Sequence, residues 1–345
     1  MEKAVMSFTQ SAALSIASRY RANQNSTAKA DLLDVLGSCQ DLPLPGSGHT
    51  LARWRRLADV AALDLVCAKL FESHTDALAI LAELGQTHLI EDEGLWAVWC
   101  AEPPSHRVHL SASPTFSDGV SIHGTKAWCS GANEVSHALI SCWDENNKQF
   151  LVAVDMDQPG VIVTTDGWQA VGMGATESVD VIVDYAEAQQ VSSADQYIQR
   201  PGFLHGAAGI AACWYGAAAS IAHYLVQHVQ QRPDDVHAQA HLGAIDIALA
   251  QAASLLRVAA HAIDHSPTSP CEREVWRARL AVEAAVETVL QRVPRALGAG
   301  PLCKQAHLAN QMADLPVFLR QSHAERDLAA HGIRIAQEET AQWKL

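Results

Sequence analysis

Two spacings of apolar residues alternate along the chain. Leu51, Trp54, Leu57, Val60 and Ala61 recur at helical intervals and predict a helix from Leu51 to about Phe71, with Thr50 as its N-cap. A second helix is predicted from Ser73 or Thr75 to Leu84, stopped by Gly85. From Leu95 the texture changes. LWAVWCAEP, RVHLSAS, VSIHGTKAWCSGA, HALISCW, QFLVAVDMD, GVIVTTD and SVDVIVDYAEA are short β-branched and aromatic runs separated by turn residues. Their spacing predicts an antiparallel barrel or sandwich. Asp118-Gly119, Gly124 and Asn146-Asn147 read as hairpin turns. After Asp195 the helical spacing returns over 202–230, 236–265, 271–297 and 303–332, with breaks at Arg232-Pro233, Ser266-Pro267, Gly298-Ala299-Gly300-Pro301 and Gly332.

This order predicts an α+β chain with a helical domain at 1–94, a β-domain at 95–196 and a helical bundle at 197–345. Ahead of Leu51, Met1 to about Asn23 reads as loosely helical, Asp31 to Ser38 as a short helix, and Leu42 to Gly48 as extended and turning. The formal net charge of −14 argues against a nucleic-acid groove or an anionic membrane surface. The eight Cys are scattered singly with no CxxC pair, and no signal peptide opens the chain, so reduced thiols in a cytoplasm are expected. The 17 His do not cluster at ligand spacing, and no metal site is expected. Gly202 to Val226 is uncharged and long enough to span a bilayer, but its Gly and Ala content and lack of a positive flank predict a buried, closely packed helix.

Three segments could carry chemistry. Trp99-Cys100-Ala101-Glu102-Pro103 ends one strand, Trp128-Cys129-Ser130-Gly131 ends another, and Val171-Gly172-Met173-Gly174-Ala175-Thr176 lies downstream. A Trp beside a hydroxyl residue at a strand end suits a planar cofactor, since the indole offers a stacking face and the hydroxyl reaches a ring nitrogen. The plain alternative is a core Trp beside a turn Ser.

In this order, with helices on both sides, the segments resemble the acyl-CoA dehydrogenase flavoprotein superfamily. That resemblance implies a helical N-terminal domain, a middle antiparallel β-barrel and a C-terminal four-helix bundle. It implies FAD, contacted by the backbone of Cys100 and Ala101, by Trp128 and Ser130, and near its adenosine half by Gly298 and Gly300. It also implies a homodimer or homotetramer, an acyl thioester substrate and an electron-acceptor flavoprotein.

The chain departs from the family at several places. Ala101 stands where the family has Thr, and Pro104-Ser105-His106 replaces its Gly-Ser-Asp loop. Gly172 to Thr176 lacks the family's Arg, and Arg232 is followed by Asp234 and Asp235, which oppose phosphate. Dehydrogenation of a thioester needs a carboxylate to remove the α-proton. Most members place a Glu shortly after an Arg-Asp pair; Arg326-Asp327 fits the pair, but Ala329-Ala330-His331-Gly332 follows, with no acid. Ala207 to Ala219, the other place a base occurs, also lacks one. Glu325, Asp327, Glu338 and Glu339 remain as candidates. Two other readings follow: a flavin-dependent monooxygenase of the same fold, with His323 or His331 as acid-base group, or a non-catalytic, flavin-poor relative.

Overall fold

The computed structural model describes residues 35–36, 42–90, 94–112, 119–337 and 343. The loosely helical start, most of the 31–38 helix, Asp118, Glu338 and Glu339 lie outside them.

Helix α1 spans Thr50–Leu63 and α2 spans Leu65–Glu83. The chain therefore breaks at Asp64, where one continuous helix was expected. Asp64 is extended, and its carboxylate accepts from the Cys67 amide at 2.7 Å, satisfying one of the free N–H groups at the start of α2. Thr50 is not a cap either. His49 holds that position without a side-chain bond, while the Thr50 hydroxyl donates to Asp264 Oδ1 at 2.6 Å. Asp264 also accepts from the amides of Gly48 and Thr50, so a residue 214 positions away caps this helix.

The strands are β1 (Trp96–Trp99), β2 (Val108–Ala112), β3 (Val120–Cys129), β4 (His137–Trp143), β5 (Gln149–Asp155), β6 (Val161–Val163) and β7 (Val179–Gln190). Each of β1 to β6 falls inside one of the seven β-type runs, and β7 starts inside the last and runs two residues past it to Gln190. Strands β4, β2, β3, β7 and β5 pair in that order, and β5 pairs back with β4, closing a five-stranded barrel. The antiparallel expectation needs one correction: β4 runs parallel to both β1 and β2. The β2–β3 hairpin intervenes between β1 and β4, which sets them side by side in the same direction. Asn147, at φ 56°, turns the β4–β5 hairpin as expected. Gly124 does not turn. It sits inside β3 at a bulge, with φ 130°, pressed against the Arg107 carbonyl where a side chain would collide.

Beyond the barrel come α3 (Gln196–Gln199), α4 (Pro201–Gln231), α5 (Val236–His265) and α6 (Glu272–Leu297). The expected fourth long helix is three pieces: α7 (Ala299–Lys304), α8 (Ala306–Phe318) and α9 (Glu325–Gln337). A 3-10 turn at Leu319–Gln321 and the left-handed Ala324 separate the last two, and α9 continues through Gly332 rather than ending there. Helices α4 and α5 are each long and apolar enough to cross a membrane by length and composition. Helix α4 is a core helix: Gly209 and Gly216 let it approach α1, with Ala58 directly against Gly216. One hydrophobic cluster runs through the helices and the barrel, joining Trp54, Phe71, Val108, Ile140, Val181 and Trp214.

Candidate functional site

The ends of β1 and β3 meet on one side of the barrel. The Trp99 indole donates to the Ser130 carbonyl at 3.2 Å, which ties the end of β1, just ahead of Cys100 and Ala101, to the turn that follows Trp128. A buried ionic clamp fixes the same corner. Lys126, fully buried, donates to Glu102 at 2.8 Å and to the Ser141 hydroxyl at 2.7 Å. Glu102 also accepts from Ser141 and, at 3.1 Å, from the Trp143 indole. A buried ammonium is tolerable only with such partners. Sequence reasoning quoted Lys126 and Glu102 without giving them a role; the signal was a lone Lys within an apolar strand.

Trp128 is the exceptional residue here. A bulge between Lys126 and Cys129 forces it to φ 59°, and its side chain remains 51% exposed. A bulky residue in the left-handed region costs about 1–3 kcal/mol and persists only where the surroundings impose it. Here the bulge leaves an indole open at the barrel's end, a surface that fits a planar ring.

Ser130 is buried, and its hydroxyl joins a file of three. Ser130 Oγ lies 2.7 Å from Ser178 Oγ, Ser178 Oγ lies 2.8 Å from Thr176 Oγ1, and Thr176 donates to the Met173 carbonyl at 2.7 Å. Gly131 then donates to the Thr176 carbonyl at 2.8 Å and rests against Leu70 of α2. Thus Met173 to Thr176 does more than turn the chain: it orders the hydroxyl beside Trp128. The same loop docks on α8, where Asp314 accepts from the Met173 amide and Ala313 closes over Gly172.

Helix α2 covers the free edge of β1. The Ser73 hydroxyl accepts from the Val98 amide at 2.9 Å, and His74 Nδ1 accepts from the Trp96 amide at 3.1 Å. Burial lowers the His74 pKa to about 4, so the ring is neutral and free to accept. The Cys100 thiol is hydrogen-bonded to Tyr197, and burial pushes its pKa up, leaving it protonated.

The other expected residues lie elsewhere. Gly298, at φ 69°, ends α6, and Gly300 follows in α7; both have open space where a side chain would stand. Glu325 is exposed at the start of α9. Asp327 is buried but engaged, accepting from the His323 amide at 2.9 Å and lying 3.4 Å from both the Ser322 hydroxyl and His323 Nδ1. Glu283 of α6 is buried and accepts from Ser322 at 2.5 Å and Arg320 at 3.0 Å. Arg279 completes this corner, stacked 4.5 Å over Trp214, with burial lowering its pKa to about 10. His323 is exposed, and His331 rides on α9, whose packing partner is α6. Arg232 is exposed; the adjacent Asp235 caps α5 by accepting from Ala238 at 2.9 Å.

No protein-family profile matches the sequence, and no curated protein matches it. Solved structures do. The dibenzothiophene monooxygenase TdsC from Paenibacillus sp. A11-2 is 17% identical with a TM-score of 0.78, covering 95% of each chain. The fold is that of the acyl-CoA dehydrogenase-like flavoproteins. Methanesulfinate monooxygenase MsuC from Pseudomonas fluorescens is 16% identical, with a TM-score of 0.71 over 98% of this chain and 97% of its own. The Tcur3481-Tcur3483 steroid ACAD is 15% identical, with a TM-score of 0.74 over 97% and 98%. TdsC has also been solved with FMN bound, at 16% identity, a TM-score of 0.78 and 95% coverage of each chain.

Proposed function

We propose that this chain is a flavin-dependent oxidoreductase of the oxygen-using kind, a monooxygenase acting on a small molecule with flavin supplied in reduced form. The observation that carries the flavin reading is the left-handed, half-exposed Trp128 at the barrel end, two residues before the buried Ser130 whose carbonyl is tied to Trp99. When bound, the flavin supplies the redox chemistry. The chain's own residues hold its ring against Trp128, fix the corner through Lys126 and Glu102, and leave the Cys100 and Ala101 backbone for the ring edge.

The oxygen-using branch is favoured by the state of the carboxylates. Asp327 and Glu283 are committed to capping and ion-pair contacts, and Glu325 faces solvent. None of the three is poised as a base for an α-proton. Similarity to two monooxygenases supports the same branch. Dehydrogenation of an acyl thioester, passing electrons to an acceptor flavoprotein, is the second reading, favoured by the fold shared with a steroid ACAD. Anaerobic addition of short, medium and long acyl-CoA to the flavin-loaded protein separates the two. We expect the visible flavin band to persist; bleaching within seconds would restore the dehydrogenase.

FAD is the flavin implied by the family resemblance, and FMN is the one bound in TdsC; both belong in the binding tests. We further propose a homodimer or homotetramer in the cytoplasm. Helix α5 leaves Val236, Ile247 and Val258 exposed at eleven-residue spacing along one stripe, which a second copy would cover. Ile247→Glu should shift sedimentation to a smaller species; a wild-type monomer at micromolar concentration would rule the assembly out.

A further inference from the structure

An antiparallel sheet with one face on a core alternates apolar positions inward with polar positions outward. Strand β7 keeps that rule at Asp180, Asp184 and Glu187 and breaks it at Ile182, which is 38% exposed. Ile162 of β6 stands directly opposite Ile182 and is 52% exposed. One row further along, β7 bulges against β3, between the pairs Ile122–Ala186 and Gly124–Val183. The bulge holds Tyr185 at φ 53°, uncommon for an aromatic residue, and leaves it 64% exposed. The Tyr185 ring stacks on His123 of β3 at 4.9 Å, and His123 stacks on His109 of β2 at 5.5 Å. Two isoleucines and three rings therefore form a surface across β6, β7, β3 and β2, about 14 Å wide at the spacing of paired strands.

Charge is concentrated around that surface. Residues 95–196 carry 13 Asp and Glu against three Lys and Arg, so −10 of the chain's −14 resides there. All three cations are engaged: Lys126 with Glu102, Lys148 with Asp195, and Arg107 with Asn147 and the Trp143 ring. Asp180, Asp184 and Glu187 flank the exposed Ile182 and Tyr185 along β7, and Asp166 adjoins them, its carbonyl accepting from the Asp180 amide. A patch that is apolar at its centre and negative at its rim complements a partner with an apolar centre and a positive rim. We propose that this face of the barrel docks a basic amphipathic helix of a partner protein. A helix with its side chains is about 10–12 Å across, so one helix covers the width of the patch. Its apolar stripe meets Ile162, Ile182 and Tyr185, and the Lys or Arg beside that stripe meet the carboxylates. A second copy laid face to face would set the same carboxylates against one another, which opposes that occupant.

The probe is a peptide of about 18 residues with leucines at helical spacing and lysines elsewhere, titrated by calorimetry into the full chain at low ionic strength. Oligolysine of equal charge serves as the probe without an apolar stripe. The proteins compared are the wild type, Ile182→Lys, Tyr185→Asn and Ile333→Lys, the last altering an exposed isoleucine of α9. Asn tolerates the left-handed backbone at 185 and Ile182 lies at the surface, so both barrel variants should fold; circular dichroism verifies each, and either one suffices. Saturable, salt-sensitive binding of the Leu/Lys peptide is expected for the wild type and Ile333→Lys, with affinity about tenfold lower in Ile182→Lys and Tyr185→Asn. Oligolysine should bind more weakly and should not distinguish Tyr185→Asn from the wild type. No peptide binding by the wild type overturns the proposal, as does equal affinity for the wild type and the folded barrel variants. Oligolysine binding as tightly as the Leu/Lys peptide also overturns it, since charge alone would then account for the association. A wild-type oligomer that Ile182→Lys converts to a smaller species in sedimentation would assign the face to a second copy instead.

Discussion

At the residue scale, single side chains close gaps that the backbone leaves. His74 is the clearest case, because its ring supplies the acceptor that the edge of β1 lacks at Trp96. Its pKa falls from 6.5 to about 4 on folding, so the folded state resists a proton that the unfolded chain takes up. Stability from this group is complete above pH 6.5 and is lost as pH falls from 6.5 toward 4. By pH 4.5 the loss should reach about 2–3 kcal/mol. Urea unfolding at pH 7 and pH 4.5 should show that slope in the wild type and a flatter one in His74→Asn. Equal slopes would mean that His74 is protonated, or solvated, in the folded protein.

At the scale of elements, spacing located strands better than it located helix ends. All seven strands were legible because β-branched runs and turn residues are local signals. The parallel pairing of β1 with β4 was not, since it depends on where the chain returns after β2 and β3. The break at Asp64 had a signal, an Asp three residues before an amide it could cap, but the apolar period runs through it undisturbed. The cap on Thr50 comes from Asp264, and no local pattern announces it. Glycines show the same division. Gly216 stands where α4 meets the Ala58 backbone, whereas Gly332 faces open space within α9. Gly216→Ala should destabilise by about 1–3 kcal/mol through overpacking, despite the better helix former. Gly332→Ala should stabilise by about 0.5–1 kcal/mol. Thermal or urea melts check the pair; the same sign for both would refute the packing assigned to α4.

At the scale of the whole molecule, the barrel and the helices share one core, and the candidate site lies where they meet. Its outline was legible as residue types: a Trp, a Ser two positions on, and a Glu-Pro strand end. What could not be read was conformation. Sequence does not show that a bulge gives Trp128 a positive φ and leaves it half-exposed, or that Ser130, Ser178 and Thr176 meet in one file of hydroxyls. The account stands or falls on a flavin ring lying against Trp128. The direct measurement is flavin titration of the wild type and Trp128→Ala, followed by visible absorbance, with circular dichroism to verify folding. The account predicts saturable binding to the wild type with a perturbed two-peaked band. It predicts weakening by about three- to tenfold in a folded Trp128→Ala, since stacking is worth about 0.5–1.5 kcal/mol. No binding by the wild type, or equal affinity in both proteins, would contradict it.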